Sequence, residues 1–463
     1  MRQLFGTDGI RGVAGTAPLD IQTIYAVGLA LAHQLRPGAL QAGMIGPRVI
    51  VGRDTRESSP WITNLLAAGL RAGGAEVESA GIVPTPAIAH LAHTHGFHAG
   101  VVISASHNPW QDNGIKLFGP DGKKLPDQVE LAIEEVIFKH ALGTTAPELA
   151  TIPAIENQPH YAEEYVASLL AAVPGLSLSG LSLAGQSIVV DCANGAAAAV
   201  APQLFSALGG DVVLLNVAPD GRNINEHCGA LHPKTVAAEV VHRGAQLGIT
   251  LDGDADRCLA AGASNNVING DAILLVAARD LQARGLLTGN VVVATTMSNM
   301  GLEAALKRSG IAMLRAQVGD RYVLEMMQQR HAALGGEQSG HILFPHLATT
   351  GDGLLTALVV LDLIARSGKT IEELTADLKV FPQVIVNVKV REKRPLEEIP
   401  AVAELIRAAE AELANSGRVV IRYSGTEALA RVMIEAEDEG RMRFHAESIA
   451  EAIRSELGVE SDR

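Results

Sequence analysis

A chain of 463 residues exceeds what one hydrophobic core usually serves, and its 48% hydrophobic content reads as about three or four buried globular domains. The 37 Lys and Arg against 51 Asp and Glu leave a net charge of −14 with no run of like charge, which argues against nucleic acid or an anionic membrane as partner. An anionic substrate would need cations concentrated locally. Cys192, Cys228 and Cys258 are widely spaced without a C-x-x-C pair, so neither a disulfide framework nor a zinc site is indicated and a reducing compartment is expected. The chain enters a Gly-rich motif by Gly6 without an apolar leader, and no stretch approaches the ~18 apolar residues of a membrane span; a soluble, cytoplasmic protein is expected.

In chain order, Ile21, Ile24, Val27, Leu31 and Leu35 space an amphipathic helix from Pro18 to Leu35, and Arg48–Val51 reads as a strand ending at Gly52-Arg53-Asp54. A helix Ser59–Gly73, a strand Glu76–Ala80 and a helix near Gln128–His140 continue a first α/β domain of parallel character. Gly143–Pro159, with three prolines and no period, reads as a linker. A second unit follows, with a helix Tyr161–Val173 and strands Ser187–Asp191, Val212–Leu215 and Leu247–Leu251. A similar alternation from Cys258 to about Ser367 suggests duplication of one α/β unit. Beyond Lys369, strands Val384–Val390, Arg418–Tyr423 and Leu429–Glu435 with a charged helix Leu396–Asn415 make an α+β tail. The expected architecture is three mixed-sheet α/β domains (1–155, 156–257, 258–368) and an α+β domain (369–463) around a central cleft.

Several motifs carry chemistry. The run Val101–Ile103 delivers Ser104-Ala-Ser106-His107-Asn108-Pro109 to the C-terminal end of a buried strand, where α/β proteins keep their reactive groups; Lys116 follows in Asp112-Asn113-Gly114-Ile115-Lys116. Asp252, Asp254 and Asp256 place three carboxylates within five residues after an apolar strand. In an extended chain alternation would put all three on one side, and such crowding is costly without a cation. Oxygen-only ligands suit Mg²⁺ or Ca²⁺. An EF-hand is excluded, because its Gly and Glu positions hold Arg257 and Ala263. Gly335–Gly340 offers Glu337 and Ser339 from a tight loop. Arg422-Tyr423-Ser424-Gly425-Thr426, with Arg431 beyond, joins two predicted strands with donors suited to a phosphate. Gly6–Gly12 is Gly-rich but no Walker loop, since no Gly-Lys-Ser/Thr follows.

Taken together and in this order, these segments resemble the α-D-phosphohexomutase superfamily over nearly the whole chain. Gln338 and Gly425 are the residues expected of its glucosamine-phosphate branch. The resemblance implies that Ser106 carries a phosphoryl group and that Asp252, Asp254, Asp256 and a Ser106 oxygen bind one Mg²⁺. It implies that Arg257 and Arg11 contact the reacting phosphate and that Glu337 and Ser339 read sugar hydroxyls. Arg422, Ser424, Gly425, Thr426 and Arg431 would clamp the other phosphate, and Lys116 and His341 would shuttle protons or stabilise charge. The implied reaction interconverts glucosamine 6-phosphate and glucosamine 1-phosphate through a bisphosphate, with a hexosamine or hexose bisphosphate as activator, feeding UDP-N-acetylglucosamine and cell-wall precursor synthesis. Glucose or mannose phosphates are the alternative substrates, and a non-catalytic phosphosugar sensor is the alternative class. The expected partner is a phosphorylated amino sugar, without nucleic acid or membrane, and a homodimer is the assembly to test. Ala255 stands where many members carry Gly, and Leu231 and Gln317 replace expected polar residues.

Overall fold

A computed structural model describes residues 4–6, 8–139, 141–173, 187–423 and 428–459. The first domain runs β1 (Ile10–Val13), α1 (Ile21–Gln41), β2 (Arg48–Arg53), α2 (Ser59–Ala72), β3 (Glu76–Ile82), α3 (Thr85–Thr94), β4 (Ala99–Ile103), β5 (Asp112–Phe118) and α4 (Asp127–Lys139). Its sheet order is β1-β5-β4-β2-β3, with β2 parallel to β3 and β4, β5 antiparallel to β4, and β1 antiparallel to β5. Parallel character is therefore confined to three strands, because the short 104–111 return after β4 leaves no room for a crossover helix. That return is the Ser106 loop, and it sets Lys116 on β5 opposite Val102 on β4. Helix α1 starts on an Asp20 cap that accepts from Thr23 N at 3.0 Å, and it runs past the expected Leu35 because Ala39 returns to the buried face.

The second domain comprises α5 (His160–Ala172), β6 (Ser187–Asp191), α6 (Ala201–Ser206), β7 (Asp211–Leu215), α7 (Pro233–Arg243), β8 (Leu247–Leu251), β9 (Cys258–Gly262) and β10 (Val267–Ile268). Its sheet order, β10-β9-β8-β6-β7, repeats the first: two parallel neighbours flank β6, and β9 returns antiparallel beside β8. The expected start of a third domain at residue 258 is therefore too early, since Cys258–Gly262 completes the second sheet. The segment expected as a linker is tied along the first domain. Ala146 N donates to Gln22 Oε1 at 3.1 Å, Ile155 N to Asn64 Oδ1 at 3.1 Å and Gln158 N to Ser79 O at 2.7 Å, while Ile152 and Ile155 pack on the first core.

The third run is α8 (Gly270–Ala283), β11 (Val291–Thr295), α9 (Met300–Arg308), β12 (Ala312–Ala316), α10 (Asp320–Arg330), β13 (Gly335–Gly336), β14 (Ile342–Leu343), α11 (Gly353–Ser367) and α12 (Ile371–Thr375), with sheet order β12-β11-β13-β14. Strand β13 lies parallel to β11 and β14 returns antiparallel, so the Glu337–Gly340 loop occupies the same place in its sheet as the Ser106 loop and the aspartate loop do in theirs. The tail carries β15 (Gln383–Lys389), α13 (Pro400–Leu413), β16 (Gly417–Tyr423), β17 (Leu429–Ala436) and α14 (Glu439–Leu457), with an antiparallel sheet of order β15-β17-β16. Val388, Val432 and Ile434 of that sheet share a core with Ile449 and Ile453 of α14.

Two compact units result. One holds Met1–Met297 and Met313–Thr375, the other Ser298–Ala312 with the chain from Ala376 onward. Helix α9 joins the second unit through Asn299, which accepts from Phe381 N at 2.9 Å and donates to Phe381 O at 3.0 Å. Inside the first unit α1 and α2 cross at glycines: a Cβ on Gly69 would lie 2.2 Å from Tyr25 O and one on Gly28 2.3 Å from Leu66 O. Gly69→Ala is expected to force the helices apart at about 1–3 kcal/mol, lowering the first calorimetric unfolding transition by several degrees. An unchanged transition would mean that the helices are not in this contact.

Candidate active site

Ser106 is 1% exposed, has φ +51° and directs its Oγ to Asp252 Oδ2 at 2.5 Å, with His107 Nδ1 at 3.2 Å. The backbone N of Ser106 donates to Ser104 Oγ at 3.0 Å. Asp252, Asp254 and Asp256 are buried, and one carboxylate oxygen from each lies within 4.8 Å of the others. They converge through a turn rather than by strand alternation: Ala255 N donates to Asp252 O at 3.0 Å and Ala255 takes φ +55°. The expected extended geometry is corrected accordingly. Gly253 is required here by close approach, since a Cβ on it would lie 2.5 Å from Ser106 O.

The donor set fits a hard divalent cation. All candidate atoms are oxygens, and Asp254 Oδ1 and Asp256 Oδ1 are buried without a hydrogen-bond donor. Burial, and then the charges of Asp256 and Asp254, push the Asp252 carboxyl up to about 8. Asp254 Oδ2 accepts from Thr85 Oγ1 at 2.5 Å and from Lys116 Nζ at 2.8 Å.

Around the triplet the charges alternate in a closed ring. Lys116 Nζ lies 3.1 Å from Asp8 and 3.5 Å from Asp256; His341 lies 3.8 Å from Asp256 and 3.5 Å from Asp320; Lys124 lies 2.6 Å from Asp320 and 2.5 Å from Asp8. Burial works against the Lys116 charge, but Asp254, Asp8 and Asp256 raise its pKa well above the usual lysine range. Burial likewise opposes Lys124, and Asp320 with Asp8 raises it. His341 is raised because Asp256 and Asp320 outweigh its burial. Beside the serine, burial and then Arg257 and Arg11 lower His107 to about 4.

A cavity of about 420 Å³ opens over this ring, lined among others by Arg11, His107, Lys124, Arg257, Glu337 and His341. Arg11 donates to Asp8 and reaches Ala105 O at 3.4 Å, and Arg11 and Arg257 bring two guanidiniums to the cavity wall, where an anion would meet them. Glu337 accepts from Gly319 N at 3.0 Å, and Ser339 Oγ lies 3.5 Å from its other oxygen. Gln338 turns away and donates to Asp271 Oδ2 at 3.2 Å.

Four successive segments match the domains of "Phosphoglucomutase/phosphomannomutase": alpha/beta/alpha domain I over residues 2–143, domain II over 163–265, domain III over 269–381 and the C-terminal domain over 385–452. A phosphoglucosamine mutase of Koribacter versatilis is 55% identical over 464 residues, covering 99% of this chain and 98% of that protein. The chain belongs to the phosphoglucosamine mutase family of phosphohexomutases. Two solved structures share the fold. A phosphoglucomutase/phosphomannomutase family protein from Burkholderia thailandensis has TM-score 0.76 at 24% identity, covering 99% and 100% of the two chains. An N-acetylphosphoglucosamine mutase from Aspergillus fumigatus, in complex with GlcNAc-6P and magnesium, has TM-score 0.62 at 20% identity, covering 98% and 96%.

The match to domain II runs to residue 265, past the expected boundary at 257. Ser106, Lys116, His341, Arg11, Arg257, Glu337 and the three aspartates come together within one unit. Arg422 and Arg431 lie in the other, directly opposite one another on β16 and β17, and Ser424, Gly425 and Thr426 lie outside the described residues. Sequence reasoning missed Thr85, Lys124 and Asp320 as parts of the site. Lys124 sits in Gly119-Pro-Asp-Gly-Lys-Lys124, where a surface turn is the natural reading and nothing separates it from Lys123. Lys124→Met, which leaves Asp8 and Asp320 facing each other, is expected to destabilise the first unit by about 3 kcal/mol or more, while Lys123→Met stays within about 0.5 kcal/mol. Equal shifts in thermal unfolding for the two variants would remove Lys124 from the ring.

Proposed function

We propose that this chain interconverts glucosamine 6-phosphate and glucosamine 1-phosphate by passing a phosphoryl group through Ser106. The observation that carries the reading is the Ser106 hydroxyl held 2.5 Å from the first of three convergent carboxylates, with the Arg11 and Arg257 guanidiniums beside it. Moving phosphate between two hydroxyls of one sugar needs a group that both gives and takes it, which a phosphoserine does. The bond between phosphorus and the Ser106 oxygen breaks as one forms to the free C1 or C6 oxygen, whose proton passes to the protein. The sugar bisphosphate then turns, and its original phosphate returns to Ser106.

Mg²⁺, as in the Aspergillus fumigatus complex, would be held by Asp252, Asp254, Asp256 and a Ser106 oxygen and would neutralise charge on the transferring phosphoryl group. Arg11 and Arg257, whose guanidiniums line the cavity, would bind the phosphate oxygens. Glu337 and Ser339 accept and donate to vicinal sugar hydroxyls; Lys116, kept charged by its carboxylate neighbours, would stabilise the transferring group, and His341, also beside Asp256, would relay the hydroxyl proton. Arg422, Ser424, Gly425, Thr426 and Arg431 hold the phosphate that is not reacting. The charge balance and the lack of a helix long and apolar enough to cross a membrane among the described residues suit cytoplasmic amino-sugar metabolism.

A coupled assay primed with a hexose bisphosphate tests the reading. Glucosamine 6-phosphate should be converted in Mg²⁺, more efficiently than glucose or mannose phosphates, and chelation should stop turnover until Mg²⁺ is restored. Ser106→Ala should lose on the order of 10⁴-fold or more in kcat/KM. Full activity in that variant, or phosphate release outpacing isomerisation, would overturn the proposal.

A further inference from the structure

The Ser106 loop is gripped by two side chains that do not line the cavity. At φ +51° the serine occupies a left-handed conformation, which a residue with a Cβ keeps only where its surroundings over-determine it. Arg56, on the loop between β2 and α2, is 1% exposed and uses its whole fork on this task. Its Nη2 donates to the carbonyls of Ser106 at 3.1 Å and Asn108 at 2.6 Å, and its Nε donates to the carbonyl of Asp112 at 2.7 Å. Its Nη1 meets Asp54 Oδ2 at 2.6 Å, while Asp54 Oδ1 accepts from Arg56 N at 3.0 Å and Ser59 Oγ at 2.7 Å, so the guanidinium is itself fixed.

The second domain supplies the other side chain. Asn225, itself at φ +59°, donates its Nδ2 to the same two carbonyls, Ser106 O at 3.0 Å and Asn108 O at 3.2 Å. Each carbonyl thus receives two donors, one from each domain, and with both lone pairs engaged the peptide planes after Ser106 and Asn108 have one orientation left. The loops that carry the donors are joined in turn. Glu57 N donates to Gly221 O at 2.9 Å, and Arg222 grips Glu57 at 2.8 and 3.0 Å while lying over the Trp110 ring at 4.9 Å.

We propose that Arg56 and Asn225 are positioning residues for phosphoryl transfer: by pinning the carbonyls of Ser106 and Asn108 they aim the serine oxygen at Asp252. The inference rests on the reading of Ser106 as the phosphate carrier. Neither side chain lines the cavity, so neither contributes to holding the sugar. A lysine at 56 would keep the charge opposite Asp54 but, as a single ammonium, could not span three carbonyls and a carboxylate.

The test compares Arg56→Lys and Asn225→Gly with the wild type; glycine retains the left-handed backbone at 225 and removes only the amide. Three quantities are measured in Mg²⁺: kcat and KM for glucosamine 6-phosphate, the rate at which glucose 1,6-bisphosphate phosphorylates Ser106 by intact-protein mass, and the melting temperature. Arg56→Lys is expected to slow both turnover and serine phosphorylation by about 10²-fold and Asn225→Gly by about 10-fold, with KM within about threefold. The double variant should lose less than the product of the two, because both act on the same carbonyls. Folded variants that keep both rates within about twofold, or that raise KM at unchanged kcat, overturn the proposal. If Arg56→Lys does not fold, Asn225→Gly decides by the same criterion. A wild type that takes phosphate onto Ser106 without isomerising glucosamine phosphates contradicts the proposed substrate, and the phosphorylation rates then decide the positioning claim alone.

Discussion

Three buried carboxylates facing one buried hydroxyl form an arrangement that the protein alone leaves electrostatically unbalanced, and much of the first unit is explained by how that imbalance is managed. Removing an isolated carboxylate from water is costly, and three together raise the cost through mutual repulsion. The surrounding ring, with Lys116, His341 and Lys124 alternating with Asp8, Asp256 and Asp320, meets part of the demand from within. The elevated Asp252 carboxyl and the two oxygens without donors mark the part left for a cation. A doubly charged group on Ser106 would add negative charge at the same point, where the Arg11 and Arg257 guanidiniums line the cavity.

The topology explains why residues so distant in sequence converge. In each of the three α/β sheets a strand parallel to its inner neighbour leads into a short loop, after which the chain returns antiparallel beside it. The Ser106 loop follows β4, the aspartate loop β8 and the Glu337 loop β13. A single unit used three times therefore supplies the Ser106 hydroxyl, the three carboxylates and the Glu337 loop from equivalent positions. These are strand ends, where backbone donors and acceptors are freed from the sheet and side chains have a rigid base.

What could be read from the sequence follows from the range of each interaction. The aspartate triplet, the Ser106 loop and most strands declare themselves within about ten residues, through composition and period. Lys124, Thr85 and Arg56 act on partners far along the chain, and none of them stands out locally: Arg56 sits just past a strand end, and Lys124 beside an equally plausible Lys123. The end of the second sheet is hard to read from sequence for a related reason. Cys258–Gly262 is an apolar run that could open a new sheet or close an old one, and only its pairing with β8 distinguishes the two. Gln338, a residue expected of the glucosamine-phosphate branch, binds Asp271 rather than facing the cavity, so its effect on substrate choice would pass through the shape of the Glu337 loop.

The most direct measurement is anomalous scattering from Mn²⁺ soaked into crystals of the protein. One strong peak is expected at about 2.0–2.2 Å from oxygens of Asp252, Asp254 and Asp256, with an oxygen on Ser106 completing the same coordination shell. No peak there under saturating metal, or a peak whose ligands exclude the aspartates or leave Ser106 outside the shell, would contradict it.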